Sequence, residues 1–182
     1  MKKGLFIISI IIIVLGVCIM IKNKGNKVDT DFNEDNIEIS YESSGGFGTM
    51  ADTAPVTVTL KAKKAVVSYD DEIKKEISFD KAKFSELVEL INKNFSKIKE
   101  DAGTRMDVMD GSDSFITVKN LKTKKEYTVG GYMPDDENYI EIVDKIYEVI
   151  GDDTIYEFRK NELNKYFEDE FSKQQEEFDE EE

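Results

Sequence analysis

Apolar and polar side chains alternate along the chain from residue 37. Ile37, Ile39 and Tyr41 are separated by Glu38 and Ser40, and Val56, Val58 and Leu60 by Thr57 and Thr59. A period of two sends successive side chains to opposite faces of a strand, so both runs predict antiparallel strands with one buried and one wet face. Ala65, Val67 and Tyr69 continue the pattern beyond a hairpin connection at residues 61–64, and Ile77 with Phe79 predicts one more strand of that group.

The period then changes. Phe84, Leu87, Val88, Ile91, Phe95 and Ile98 recur at the spacing of one helical face, and Asp80 stands where an N-cap belongs. After a loop over 101–114, Ile116 and Val118 match Tyr127 and Val129 across the lysine-rich turn 122–125, a second hairpin. Pro134 and Asp135 predict the opening of another helix, with Tyr139, Ile142, Val143, Ile146 and Ile150 on one face and Gly151 as its stop. Tyr156, Leu163, Phe167, Phe171 and Phe178 fit a last helical stripe among mostly charged positions. From Asn161 to Glu182 ten acids accompany two lysines, and so little apolar surface predicts fraying past Phe171. The fold class that follows is α+β: an antiparallel sheet of about five or six strands covered by two amphipathic helices, with a C-terminal acidic helix.

Ahead of all this lies an unbroken apolar run of 18 residues, Gly4 to Ile21, between Lys2–Lys3 and Lys22, Lys24 and Lys27. At about 1.5 Å per residue such a helix reaches about 27 Å, close to a bilayer's hydrocarbon thickness and longer than the apolar part of a cleaved signal. It predicts a transmembrane helix, an uncleaved signal anchor over residues 1–27 that meets the lipid bilayer through residues 4–21. The competing readings are ordinary signal cleavage and a lipoprotein signal at Leu15-Gly16-Val17-Cys18. The second matches by half, because Val17 replaces the small residue and Ile19-Met20-Ile21 replaces the polar tether expected after the cysteine. The flanking lysines nearly balance, but a short basic N-terminus before the first apolar segment is the layout that exports the remainder. The expected organisation is a tether over 28–36, an extracytoplasmic α+β domain over 37–171 and a disordered acidic tail over 172–182, on a single-pass protein of the cell membrane.

Charge sharpens this picture. The whole chain carries −14, yet its first 27 residues hold five lysines and no acid, leaving 20 basic side chains against all 39 acids in the remainder, a net −19. A basic-flanked anchor therefore holds an acidic domain off anionic head groups. Nucleic-acid binding is set aside, since it draws on lysine and arginine displacing counterions. The chain has no histidine, which removes imidazole bases and histidine-ligated metals, and its one cysteine forms no internal disulfide.

Candidate chemistry is sparse. The stretch Ser43-Ser44-Gly45-Gly46-Phe47-Gly48-Thr49 is rich in glycine, but the next element expected is a strand near Pro55 and no Gly-Lys-Ser/Thr follows, so it reads as a bulged connection that exposes Phe47. Asp107, Asp110 and Asp113 suggest calcium, yet a spacing of three does not reproduce an EF-hand loop, and Asp110-Gly111 reads as turn chemistry. Ser96 and Lys99 have the spacing of a serine-lysine pair but fall at the end of an amphipathic helix. No carboxylate pair is singled out by apolar surroundings. The sequence thus assigns no catalytic residue, cofactor or metal. Residues that can meet a partner are Phe47, Tyr132 and Met133 in the Gly130–Pro134 connection, and Phe171 and Phe178 on the last helix.

The stretches YESSGGFGT, VTVTL, FSELVELINKNF, DGSDSFITVK and YTVGGYMP, in this order, resemble a loose group of small uncharacterised extracytoplasmic domains of low-GC Gram-positive bacteria, membrane-tethered or of lipoprotein type. The likeness spans most of Glu38 to Ile150 and carries over no activity. The expectation is a membrane-tethered extracytoplasmic binding module without catalytic activity, engaging an envelope protein through a face of the sheet or the glycine-rich loops. Its alternative is a carboxylate-dependent hydrolase of an envelope polymer.

Overall fold

The computed structural model describes residues 31–70, 72–99, 103–104 and 111–180. The segment read as a membrane anchor lies outside them, as do Asp107 and Asp110 and the side chain of Phe178; among the described residues no helix is long and apolar enough to cross a membrane.

The alternating runs become strands β1 (Ile37–Ser43), β2 (Val56–Lys61), β3 (Lys64–Tyr69), β4 (Ile73–Ile77), β6 (Asp113–Asn120) and β7 (Glu126–Tyr132), with a two-residue β5 (Gly103–Thr104). Six pair antiparallel in the order β4-β3-β2-β1-β6-β7, and β5 adds a short parallel pairing beyond β7. The registers follow the side-chain alternation: Ile39 stands opposite Leu60 and Val118, Tyr41 opposite Val58 and Ile116. The expected hairpins form, with Lys61 facing Lys64 and Ile116 and Val118 facing Val129 and Tyr127.

Helices cover one face of this sheet. Helix α2 (Lys81–Asn94) starts at Asp80, whose carboxylate accepts from the main-chain N–H groups of Ala82 and Lys83. Its buried residues are the expected Phe84, Leu87, Val88 and Ile91, and the stripe continues into a 3₁₀ turn, Phe95–Lys97, with Phe95 and Ile98 also buried. Helix α3 (Glu137–Ile150) buries Tyr139, Ile142, Ile146, Val149 and Ile150, and Gly151 ends it at φ 88°. At about 1.5–3 kcal/mol for each large apolar side chain withdrawn from water, these two stripes against β1, β2, β3 and β6 dominate the fold's stability. The opposite face of the sheet keeps the polar half of each alternation, including Ser40 against Thr59 and Thr117 against Thr128.

Several boundaries differ from expectation. Helix α3 begins at Glu137, beyond Pro134-Asp135, because Asp136 is the N-cap: its Oδ1 accepts from the N–H groups of Asn138 and Tyr139. Phe79 lies beyond β4 and packs edge-on against Phe84 at 5.8 Å instead of extending the strand. A one-turn helix α1 (Met50–Thr53) interrupts what reads as loop between β1 and β2. Phe32, in the stretch read as tether, is buried, and Asn92 holds its main chain, accepting from its N–H at 2.9 Å and donating to its carbonyl at 2.8 Å.

After α3 the chain forms a C-terminal arm: α4 (Thr154–Phe158), a π turn (Arg159–Leu163) and α5 (Asn164–Glu180). The helical backbone thus runs well past Phe171. The π turn also corrects the expected stripe. Its wider turn shifts the phase of the helix, so Ile155, Phe158 and Leu163 are buried while Tyr156 stands 60% exposed.

Candidate functional site

The most distinctive construction lies at the end of β1 away from Phe32. Three features meet there: the glycine-rich connection leaving Ser43, the start of β6 and the end of β7. The N–H of Ser44 donates to the Asp113 carbonyl at 3.0 Å, and Asp113 stands opposite Tyr132 in the sheet register.

The connection is a closed structure rather than a slack one. Thr49 and Asp52 form a reciprocal cap on α1: the Thr49 N–H and hydroxyl both donate to Asp52 Oδ2, at 2.9 and 2.7 Å, and the Asp52 N–H donates to Thr49 Oγ1 at 3.3 Å. These bonds, the hydroxyl's first, hold the Asp52 carboxyl below its ordinary range, and the nearby Arg159 charge acts in the same direction. The loop folds so tightly over Asp52 that a Cβ on Gly45 would lie 2.2 Å from the Asp52 carbonyl oxygen. Gly48 sits at φ 139°, a conformation that L side chains rarely adopt.

Arg159, the first residue of the π turn, closes the structure from below. Its Nη2 donates to the carbonyls of Ser43 at 2.8 Å and Ala54 at 3.1 Å, the residues on either side of the connection. Burial lowers its pKa, yet an arginine in a protein keeps its proton. The groups that act on it are the Tyr147 phenol, the Asp52 carboxylate and the Tyr41 phenol. Tyr139 donates to Ser114 Oγ at 2.8 Å and burial pushes its pKa up to about 12, while burial raises Tyr41 further still.

Ala51 and Ala54 turn inward and are buried, while Phe47 and Met50 turn outward at 87% and 69% exposure, the two most exposed large apolar side chains among the described residues. Isolated apolar residues on a surface are ordinary. Two of them on one capped, clamped loop form a preorganised apolar tip.

The other sequence candidates fall elsewhere. Tyr132 and Met133 share this end of the sheet but are half-buried and act in its closure. The Gly111 N–H donates to the Tyr132 hydroxyl at 2.6 Å, and the Met133 N–H donates to the Ser112 carbonyl from a left-handed backbone at φ 47°. Phe171 is 62% exposed on α5, two turns beyond the buried Leu163 and one beyond Phe167, whose ring packs on Tyr69 at 5.5 Å. Its place is on the arm rather than on the loop. The reading of the sequence missed Arg159, Met50 and the cap. Of these only the cap had a signal, the spacing Thr49-x-x-Asp52.

Carboxylates line two depressions. Glu42 and Asp70 border one with Pro55, Thr57 and Tyr69; Glu76, Asp152, Asp153 and Glu157 border the other beside Lys75. Among the described residues no three acids converge in a way that holds a metal ion. Comparison with protein families, with characterised proteins and with solved structures gives no match to this chain.

Proposed function

We propose that the protein is a membrane-tethered, extracytoplasmic binding module that offers Phe47 and Met50, on a loop fixed before contact, to an apolar pocket of an envelope protein. The observation that carries this reading is the combination of outward apolar side chains and inward bracing in residues 44–54. A partner that buries Phe47 gains about 1.5–3 kcal/mol of transfer free energy, and a loop already ordered loses little entropy on binding. Phenylalanine and methionine are both enriched at protein interfaces relative to the rest of the surface.

The place where the chain enters the domain supports the same reading. Asn92 pins Phe32 near the start of β1, whereas the loop follows Ser43 at its far end. Seven strand residues separate these ends by about 20 Å, so a domain standing on an anchor at residues 4–21 presents the loop away from the lipid. The resemblance to tethered extracytoplasmic domains agrees with that arrangement.

The test is photo-crosslinking in intact cells from position 47, with position 165 on the exposed face of α5 as control. Capture of one protein from 47, reduced by Met50→Ala and absent from 165, is expected. Equal yields from the two positions would end the proposal. Protease shaving of the same cells reads the orientation independently: a domain protected from added protease places it inside.

A further inference from the structure

β4 is the outer strand of the sheet, paired on one side with β3, and among the described residues nothing pairs with its other side. Its sequence is Ile73-Lys74-Lys75-Glu76-Ile77, with the three central residues exposed. An outer strand with lysines ordinarily resists further pairing. This one carries charges of opposite sign at positions 74 and 76, on the same face of the sheet, the face that the helices leave open: Lys74 is in register with Ser68 and Glu76 with Val66.

We propose that two copies of this chain pair edge to edge through β4, antiparallel about a two-fold axis at Lys75. Such an axis places Lys74 of each copy opposite Glu76 of the other, and Ile73 opposite Ile77. Opposite charges facing across strands stabilise a pair, and like charges destabilise it. The register is singled out by elimination. To keep the helix-covered faces of both sheets on one side, an axis perpendicular to the sheet must pass through a residue, not between two. Centred on Lys74 it opposes Lys74 to itself and Glu72 to Glu76; centred on Glu76 it opposes Glu76 to itself and leaves Lys74 facing Ser78. Only the axis at Lys75 matches both charges. It sets the two Lys75 side chains near each other on the helix side, where each is already neutralised by Glu162 of its own chain at 2.7 Å. Glu76 lies 3.0 Å from Lys64 of its own chain, so on the open face the joined edges give an alternating row of lysine and glutamate.

The net charge of −19 on the part of the chain beyond residue 27 does not forbid this, because at physiological ionic strength charges more than about 8 Å apart are largely screened. A five-residue edge is smaller than the roughly 1,000 Å² of a stable free interface, so the pairing belongs to chains held at high local concentration.

The experiment uses the full chain in the membranes of expressing cells, with Cys18→Ser as background and added oxidant. Residues opposed across strands have Cβ atoms about 4.5–5.5 Å apart, close to disulfide reach. Lys75→Cys is expected to give a disulfide-linked dimer, and Lys173→Cys on α5 is not. Adding Lys74→Glu, or Glu76→Lys, sets like charges opposite each other and abolishes the dimer. Co-expressing the two reversed chains with different tags again sets a glutamate against a lysine at both pairs and restores a mixed dimer, which also shows that both variants fold. Dimer yield from position 75 no higher than from 173, persistence through either single reversal, or failure of the mixture to recover it each overturns the proposal.

Discussion

Arg159 donates a hydrogen bond to the main-chain carbonyl of Ser43, 2.8 Å away and 116 residues earlier in the chain. The C-terminal arm thereby holds the strand end from which the exposed loop departs. The same nitrogen reaches Ala54, so one side chain fixes both ends of the loop. Replacing Arg159 with Gln or Ala leaves two carbonyls without this donor, at a cost of about 1–3 kcal/mol. Urea unfolding should show the loss, and amide exchange should show the largest increase in residues 44–54.

Phe47→Ala separates recognition from folding. The ring is 87% exposed, and a surface substitution of this kind moves stability by less than about 0.5 kcal/mol. Capture of the proposed partner by a crosslinker at position 50 should fall while the unfolding midpoint stays in place. A comparable drop in both would mean that the ring is structural.

Gly45→Ala tests the tightness of the loop. The new methyl would stand 2.2 Å from the Asp52 carbonyl oxygen, so the turn must open, at a cost of about 1–3 kcal/mol if the strain is that of an overpacked site. Chemical shifts in residues 46–53 should move while those of α2 and α3 stay. An unperturbed Asp52 amide would contradict the geometry.

The cap responds to pH in a defined direction. Bonds from Thr49 lower the folded-state pKa of Asp52, so its contribution is fully present above the unfolded value of about 3.9 and is lost as pH falls through the lower folded value. Protection factors of the loop amides, which correct for the intrinsic slowing of exchange toward acid, should fall as pH drops from 5 toward 2, and fall further than those of a reference helix. Asp52→Asn should remove that extra dependence.

Asn92→Ala releases the point where the chain joins the domain. Two hydrogen bonds to Phe32 disappear, and leaving their partners half-buried costs about 1–3 kcal/mol. Limited proteolysis should cut near Phe32 faster than in the unaltered protein. Unchanged cleavage would show that burial of the Phe32 ring is sufficient.

The sheet and its two covering helices were legible because burial imposes a period. Ile37, Ile39 and Tyr41, or Phe84, Leu87 and Ile91, repeat often enough to declare which face meets the core. Shorter or longer-range devices have no period to show. β5 is two residues long, and Gly103 pairs with Gly131 without a side chain on either. α1 is a single turn, announced only by its cap. The π turn shifts the arm's phase, which is why Tyr156, in line with Leu163 in an unbroken α-helix, faces solvent. Phe47 was legible as an aromatic among glycines, but its support was not, since nothing near Arg159 in sequence points to Ser43.

The position of β1 has a mechanical consequence. The chain is pinned at Phe32 before β1 and braced at Ser43 after it, and between them β1 is flanked by β2 along five residue pairs and by β6 along seven. A partner drawn away from the membrane while holding the loop would pull along this strand's own axis. Because both points of attachment flank one strand that is already extended, the tension would run through the covalent backbone of β1 and would not shear its hydrogen bonds to β2 and β6. A contact under tension would in that case leave the rest of the sheet unloaded, and a single-molecule pull between residues 32 and 47 should lengthen the chain only by the slack on either side of β1, with no unfolding step.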